Sequence, residues 1–337
     1  METKKVLHMG DDETLCWEYE GKKYLAHIQL DDIADSPRSW DPITTMACFH
    51  SRYNLGDKLD DKTQEEFWQR LVRENVPEKK IYEAAAAGKL TGIRLAASKE
   101  YPDPDMVDVY ETYHLRTILG TSDAEEVLEY EGIAKDAVAD YLYDDLTVQH
   151  CMILMEPYAE WLPLWLYDHS GITMSCGART GQYADAWDSG CVGWIIAMKD
   201  TIMKECPVEY VLDENGERIK VEHDNGNGTA TYNYMTRPLT EDTWRKRAIE
   251  IMKDDVDIYD KYITNDVYGY TLYADESSEG EDKPDWTEED SCWGFYGSNI
   301  FESGLADNLS GFEEAFDAGT YKTGRAEKVV RYSYNFS

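Results

Sequence analysis

Asp168-His169-Ser170 and, further along the chain, Asp188-Ser189 set carboxylates, an imidazole and hydroxyls into short segments, and Cys48 and His50 stand ready in another motif. Those are the side chains of a hydrolase-like site. A general base or nucleophile needs them within hydrogen-bond reach, which adjacency does not supply, because neighbours on a strand point to opposite faces. Asp168, His169 and Asp188 are therefore candidate catalytic residues, set against a simpler structural account. In that account His169 and Asp188 fix turns after buried strands through hydrogen bonds to backbone groups. Metal ligation has less to stand on: HExxH and CxxC are absent, and Asp213-Glu-Asn-Gly216 misses the register of a calcium-binding EF-hand loop. No phosphate-binding glycine loop of the GxxxxGK type occurs. The expectation is a chain without metal or cofactor, and without disulfides, its 7 cysteines being an odd set of mostly buried thiols.

The second kind of chemistry is charge. The 337 residues carry 68 Asp and Glu against 33 Lys and Arg, a net charge of -35. Such a surface repels phosphate, which argues against direct binding of DNA, RNA or an anionic membrane and favours a basic protein as partner. From Asp103 to Asp145, 13 acids face only Arg116 and Lys135; from Asp275 to Asp290, 9 acids face only Lys283. Ser122-Asp-Ala-Glu125 reads as a capping box, and Val127, Leu128, Ala134, Val138, Tyr141 and Leu142 fall on one stripe, which predicts a helix to about Leu146. Its other face would be acidic, with charges about 5 Å apart, close to the roughly 3.4 Å axial spacing of phosphates on one DNA strand. Asp123, Glu125, Glu126, Glu129, Asp136, Asp140, Asp144 and Asp145 are the candidate partner-binding residues there, and Glu281, Asp282, Glu288 and Glu289 those of the second acidic segment. The 25 tyrosines, several beside acids, suit a protein-binding face or half-buried sheet positions. Arg245-Lys-Arg247 beside Trp244 is the one basic cluster, suited to local ion pairs or to a contact between copies of the chain.

These residues need elements to hold them. Leu15 to Tyr19 and Tyr24 to Leu30 read as strands about the turn Glu20-Gly21, and Val148 to Met155, Leu162 to Tyr167 and Val192 to Met198 as buried strands. Thr63-Gln-Glu-Glu66 is a capping box before an apolar stripe ending at Pro77, and a further helix runs from Glu78 to Ala87. Met106 to Leu115 and Val267 to Tyr273 alternate like strands, Thr240 to Ile263 has helical spacing, and Lys328 to Phe336 is a last candidate strand. Asp213-Glu-Asn-Gly216 and Asn225-Gly-Asn-Gly228 are turn signals within a β excursion inserted at 207–236. Strands outnumber helices without regular alternation. The reading is a single α+β domain over 1–337, mainly antiparallel sheet with flanking helices, and an acidic loop at 275–290. No long apolar run suggests a membrane span, and no apolar stretch behind Met-Glu-Thr-Lys-Lys suggests a signal peptide, so a cytoplasmic place is expected.

Four stretches are distinctive: Thr45-Met-Ala-Cys-Phe-His-Ser-Arg-Tyr-Asn-Leu-Gly-Asp57, Leu162-Pro-Leu-Trp-Leu-Tyr-Asp-His-Ser-Gly-Ile-Thr-Met174, Trp187-Asp-Ser-Gly-Cys-Val-Gly193 and Asp290-Ser-Cys-Trp-Gly-Phe-Tyr-Gly297. With Asp266-Val-Tyr-Gly-Tyr270 they resemble a family of uncharacterised proteins encoded by bacteriophages and mobile elements. The resemblance spans most of the chain and implies a viral context inside a bacterial host; it supplies no catalytic residues, and the segments 103–145 and 207–236 lie outside its motifs. Context and charge together point to an inhibitor of a bacterial anti-phage defence system, of anti-CRISPR or antirestriction type. An acidic structural phage protein is a further alternative to the enzyme.

The charge makes a direct prediction. The isolated protein should leave plain DNA or RNA unshifted in a gel at physiological salt, since its field opposes phosphate within a Debye length of about 8 Å. A tight shifted band would overturn the electrostatic expectation.

Overall fold

The computed structural model describes residues 4–100, 110–121, 124–134, 138–184, 187–216, 218–224, 230–277 and 284–325. Among these the chain forms an α+β fold with several antiparallel sheets. In order come β1 (Glu13–Tyr19), β2 (Lys22–Leu30), β3 (Thr44–Cys48), α1 (Gln64–Asn75), α2 (Glu78–Ala86), β4 (Ile93–Glu100), β5 (Tyr110–Thr121), β6 (Ala124–Ala134), α3 (Val138–Tyr143) and α4 (Val148–Met155). Next are β7 (Ala159–Asp168), β8 (Ile172–Cys176), β9 (Ser189–Met198), α5 (Lys199–Glu205), β10 (Val208–Tyr210), β11 (Lys220–Asp224), β12 (Ala230–Tyr234) and β13 (Thr236–Pro238). The last are α6 (Trp244–Ile263), β14 (Val267–Asp275), β15 (Trp286–Tyr296), α7 (Phe312–Ala318) and β16 (Lys322–Arg325). No helix among the described residues is long and apolar enough to cross a membrane.

Two compact units share this chain, one made of Met1–Pro42, Trp165–Gly190 and Lys253–Ser337, the other of Ile43–Leu164 and Cys191–Met252. The first is built on a five-stranded sheet in the order β15-β14-β2-β1-β16. Glu20 and Gly21 both take positive φ, 50° and 78°, the geometry of a two-residue hairpin turn, and so join β1 to β2 in the register expected. On one face of this sheet Trp17 stacks on Tyr24 at 5.5 Å and meets Phe312 of α7 edge-on at 5.2 Å, while its Nε1 donates to Ser310 O.

In the second unit α1 begins where its capping residue says it should: Thr63 Oγ1 accepts from Glu66 N. Phe67, Trp68, Leu71 and Val72 are its buried stripe. Trp68 is fully buried, with Trp161 and Trp194 edge-on at 5.3 and 6.0 Å. β3 pairs with β9, where Gly193 lies so close to Ala47 that a Cβ would sit 1.9 Å from its carbonyl oxygen. The β excursion at 207–236 consists of two small pairs, β10 with β13 and β11 with β12. Gly216 closes the turn at Asp213, its N–H donating to the Asp213 carbonyl.

Three expectations fail here. The helix expected from Ser122 to Leu146 is strand β6 followed by the short α3: Thr121 sits opposite Ala124, so β5 and β6 form a hairpin and β4 adds to it. The apolar stripe that mimicked helical spacing bridges two elements, and pairing with β5 overrides helical propensity. Conversely, Val148 to Met155 is helix α4 rather than a strand. Thr147 Oγ1 accepts from His150 N, and His150 Nδ1 accepts from Thr147 N, a capping box with histidine in place of the usual Glu or Gln. Cysteine burial is also narrower than expected: Cys151 is buried, which pushes its thiol up to about 12, whereas Cys191 and Cys292 are exposed. The candidate strand Lys328 to Phe336 lies outside the described residues.

Trp68 allows a clean test of the second core, because its Nε1 has no acceptor among the described residues. Trp68→Ala should cost about 3–5 kcal/mol in denaturant unfolding, and Trp68→Phe much less, since only volume is lost. Equal losses for the two variants would show that the indole does more than fill space.

Candidate binding cleft

Within the first unit, the loop after β2 and the end of β15 enclose a cleft of about 550 Å³. The loop side is Asp31, Asp32, Ile33, Ala34, Asp35 and Trp40, and the strand side is Trp293, Gly294 and Tyr296. Local rules shape the loop. Asp31 N donates to Val267 O, tying the exit of β2 to β14, and the Asp31 carboxylate accepts from Ile33 N. Ser36 Oγ caps a single 3-10 turn, Pro37–Ser39, by accepting from Arg38 N. That turn ends at Trp40. Arg38, its side chain 4% exposed, anchors the loop through Asp255 at 3.3 Å.

The strand side depends on an irregularity. Tyr268 faces Phe295 across the ladder, but Gly269 faces Trp293, so Gly294 is an extra residue in β15, with φ of +86°. In a regular strand Trp293 and Phe295 would share one face and Trp293 and Tyr296 would not. The bulge reverses this. Phe295 packs against the core of the first unit, and Trp293 and Tyr296 fall together on the other face. Gly269 completes the arrangement, for a Cβ there would lie 2.2 Å from the Trp293 ring. Trp40 meets Tyr296 edge-on at 5.1 Å, and the Tyr296 hydroxyl donates to Asp35 O.

Ile33, Trp40 and Trp293 stay 91, 53 and 47% exposed, which leaves apolar surface open to water around the cleft. Among the described residues no Lys, Arg or His forms an ion pair with Asp31, Asp32 or Asp35. Burial, reinforced by Asp31 and Asp35, pushes the Tyr296 phenol up to about 12. The arrangement is one of aromatic walls and uncompensated carboxylates, and it suits a cation.

Of the residues singled out from the sequence, His169 and Asp188 do come together, Nδ1 to Oδ2 at 3.4 Å, on a tight turn where Ser170 has φ of 62°. The pair is open to solvent, and Ser189 Oγ donates to Tyr183 O instead of approaching His169. Asp168 N donates to Asp188 O and His169 N to Gly171 O, so backbone groups rather than the imidazole hold the turn. His50 Nδ1 accepts from Arg52 N and Tyr53 N. Glu125, Glu126 and Glu129 lie on strand β6 rather than on the expected helix. Asp140 is exposed on α3, Asp144 pairs with Arg73 at 3.2 Å, and Asp145 is half-buried. Glu288 is exposed on β15, and Glu289 beside it pairs with Lys22 at 2.6 Å. Asp123, Asp136, Glu281 and Asp282 lie outside the described residues. The cleft residues themselves were missed from sequence, although a lone glycine inside the strand-like run Trp293-Gly-Phe-Tyr296 is a bulge signal. No group of three or more His, Cys, Asp or Glu able to hold a metal occurs among the described residues. Family models, curated proteins and solved structures give no match to this chain.

Tyr296 links the cleft to pH. With its folded pKa raised above the ordinary tyrosine value of about 10, it stabilises the fold below that pH, and the contribution is lost as pH rises through about 12. In an alkaline titration of tyrosinate absorbance, Tyr296→Phe should remove one late-ionising phenol and lessen the loss of stability over that window. An unchanged curve would mean that the phenol is solvated.

Proposed function

We propose that this chain is a phage- or mobile-element-encoded inhibitor of a bacterial defence system, acting in the host cytoplasm by binding a basic, nucleic-acid-handling complex of the CRISPR or restriction type. The excess of 68 acids over 33 basic residues carries this reading. A groove built to hold phosphates attracts such a surface and gains from releasing its own counterions. With the acidic helix replaced by β6, phosphate-like spacing has to come from strands. Glu288, Glu289 and Asp290 follow one another on β15, at the edge of its sheet, where Glu289 is an extra residue in the ladder, since Leu272 faces Asp290 and Tyr273 faces Glu288, which crowds three acids into one short stretch. Part of that charge is engaged: Glu289 meets Lys22, and Tyr270 donates its hydroxyl to Asp290.

The enzyme reading keeps one observation in its favour, the contact of His169 with Asp188. Its exposure and the engagement of the Ser189 hydroxyl elsewhere favour a turn instead.

Expression in a bacterium carrying a defence system should raise the plating of a sensitive phage by several orders of magnitude, and the purified protein should displace DNA from the isolated defence complex, less so as salt rises. Plating that stays low in every defended strain tested, with no DNA displaced, would refute the proposal. A folded His169→Ala variant that still binds its partner but no longer protects the phage would favour the enzyme.

A further inference from the structure

We propose that the cleft of Trp40, Trp293 and Tyr296 is a seat for an arginine side chain on the surface of a basic protein partner. This rests on the reading of the chain as a binder of basic proteins and names the contact through which it would recognise them. The occupant follows from the walls. Asp31, Asp32 and Asp35 line the cleft without a cation of the chain paired to any of them among the described residues, while Arg38 of the same loop is already held by Asp255. An anion would be repelled there, and a purely apolar guest would strip water from carboxylates and return no hydrogen bond. A cation gains on both counts.

Its kind is set by the aromatic groups. Indoles are the strongest of the aromatic side chains in attracting a cation, and a guanidinium can stack flat on a ring while its edge donates to carboxylates, which a compact, strongly hydrated ammonium does less well. Trp40 and Trp293 supply exposed indoles, and Asp32 and Asp35 are exposed acceptors on the same loop. The cleft volume of about 550 Å³ lies in the range of ligand sites and leaves room for the residues that flank an arginine. Ile33, 91% exposed on the same loop, offers the apolar contact that commonly surrounds a buried anchor at a protein interface. Position, too, is fixed in advance: the bulge at Gly294 and the gap at Gly269 hold Trp293 in place, so little ordering is needed on binding.

The test uses the full chain and three capped peptides, hexa-arginine, hexa-lysine and hexa-citrulline, the last a neutral look-alike of the first. Binding is followed by tryptophan fluorescence and calorimetry at two salt concentrations. Hexa-arginine should bind several-fold tighter than hexa-lysine, and hexa-citrulline should not bind. Trp40→Ala and Trp293→Ala should each weaken hexa-arginine by about tenfold. The double variant Asp32→Asn, Asp35→Asn, at exposed positions that leave the fold intact, should weaken it comparably and flatten the salt dependence. The control Glu313→Gln, Glu314→Gln, at exposed positions of α7 outside the cleft lining, should change affinity for the peptide by less than about twofold. If the wild type binds hexa-arginine and no cleft variant alters the affinity, the arginine seat is refuted while an acidic binding surface stands. Equal affinity for hexa-lysine refutes the preference for arginine. If the wild type binds neither cationic peptide at low salt, the seat and the broader reading fall together.

Discussion

A β-strand turns successive side chains to opposite faces, and the first unit's cleft exists because β15 breaks that rule at Gly294. One extra residue, Gly294, brings Trp293 and Tyr296 onto the same face while leaving Phe295 in the core. The partner strand must cooperate, since only glycine at position 269 leaves space for the indole. β14 is also the strand that ties in the loop after β2, through Val267 and Asp31. The aromatic wall and the carboxylate wall are thus both referred to a single strand, and their separation is set by the sheet rather than by a mobile loop.

The chain folds against its own charge. Many described cations sit beside acids, as in Arg70 with Asp61, Arg245 with Glu160, Arg237 with Glu209 and Lys22 with Glu276 and Glu289. Most such pairs are partly open to water and contribute little stability, roughly 0–1 kcal/mol each. What holds each unit is an aromatic core, around Trp17 and Phe312 in one and around Trp68 in the other. Those cores leave the surface acids available, and the three of the cleft are left without a balancing cation among the described residues.

Much of the architecture was legible where the signal is local. Thr63 capped its helix, Glu20-Gly21 made its hairpin, and the spacing of Trp244, Ala248, Val256 and Tyr259 marked α6. Misreadings arose where strand pairing or an unconventional cap decides. Between 122 and 146 the sequence satisfies a helical stripe, yet the hairpin with β5 claims the first part as a strand. Thr147 with His150 caps a helix with an unconventional partner, so a short apolar run passed for a strand. The cleft was illegible for a related reason: its two walls, at 31–40 and 293–296, are far apart in sequence, and only the ladder joins them. Within each wall the local signs, an Asp-rich turn and a strand interrupted by glycine, were visible without their meaning.

The order of the central sheet has a consequence for synthesis on the ribosome. β1 and β2 emerge early and can close into a hairpin at once, but the outer edge of β2 pairs with β14, where Leu30 meets Tyr268. At about 5–20 residues per second, that edge waits on the order of ten seconds or more for its neighbour. During the wait Leu25, Ala26 and Ile28, all buried in the finished protein, are uncovered on a strand with open hydrogen-bonding groups. Neighbouring nascent chains on a polysome present the same edge, and the strong negative charge of the chain opposes their association until β14 arrives.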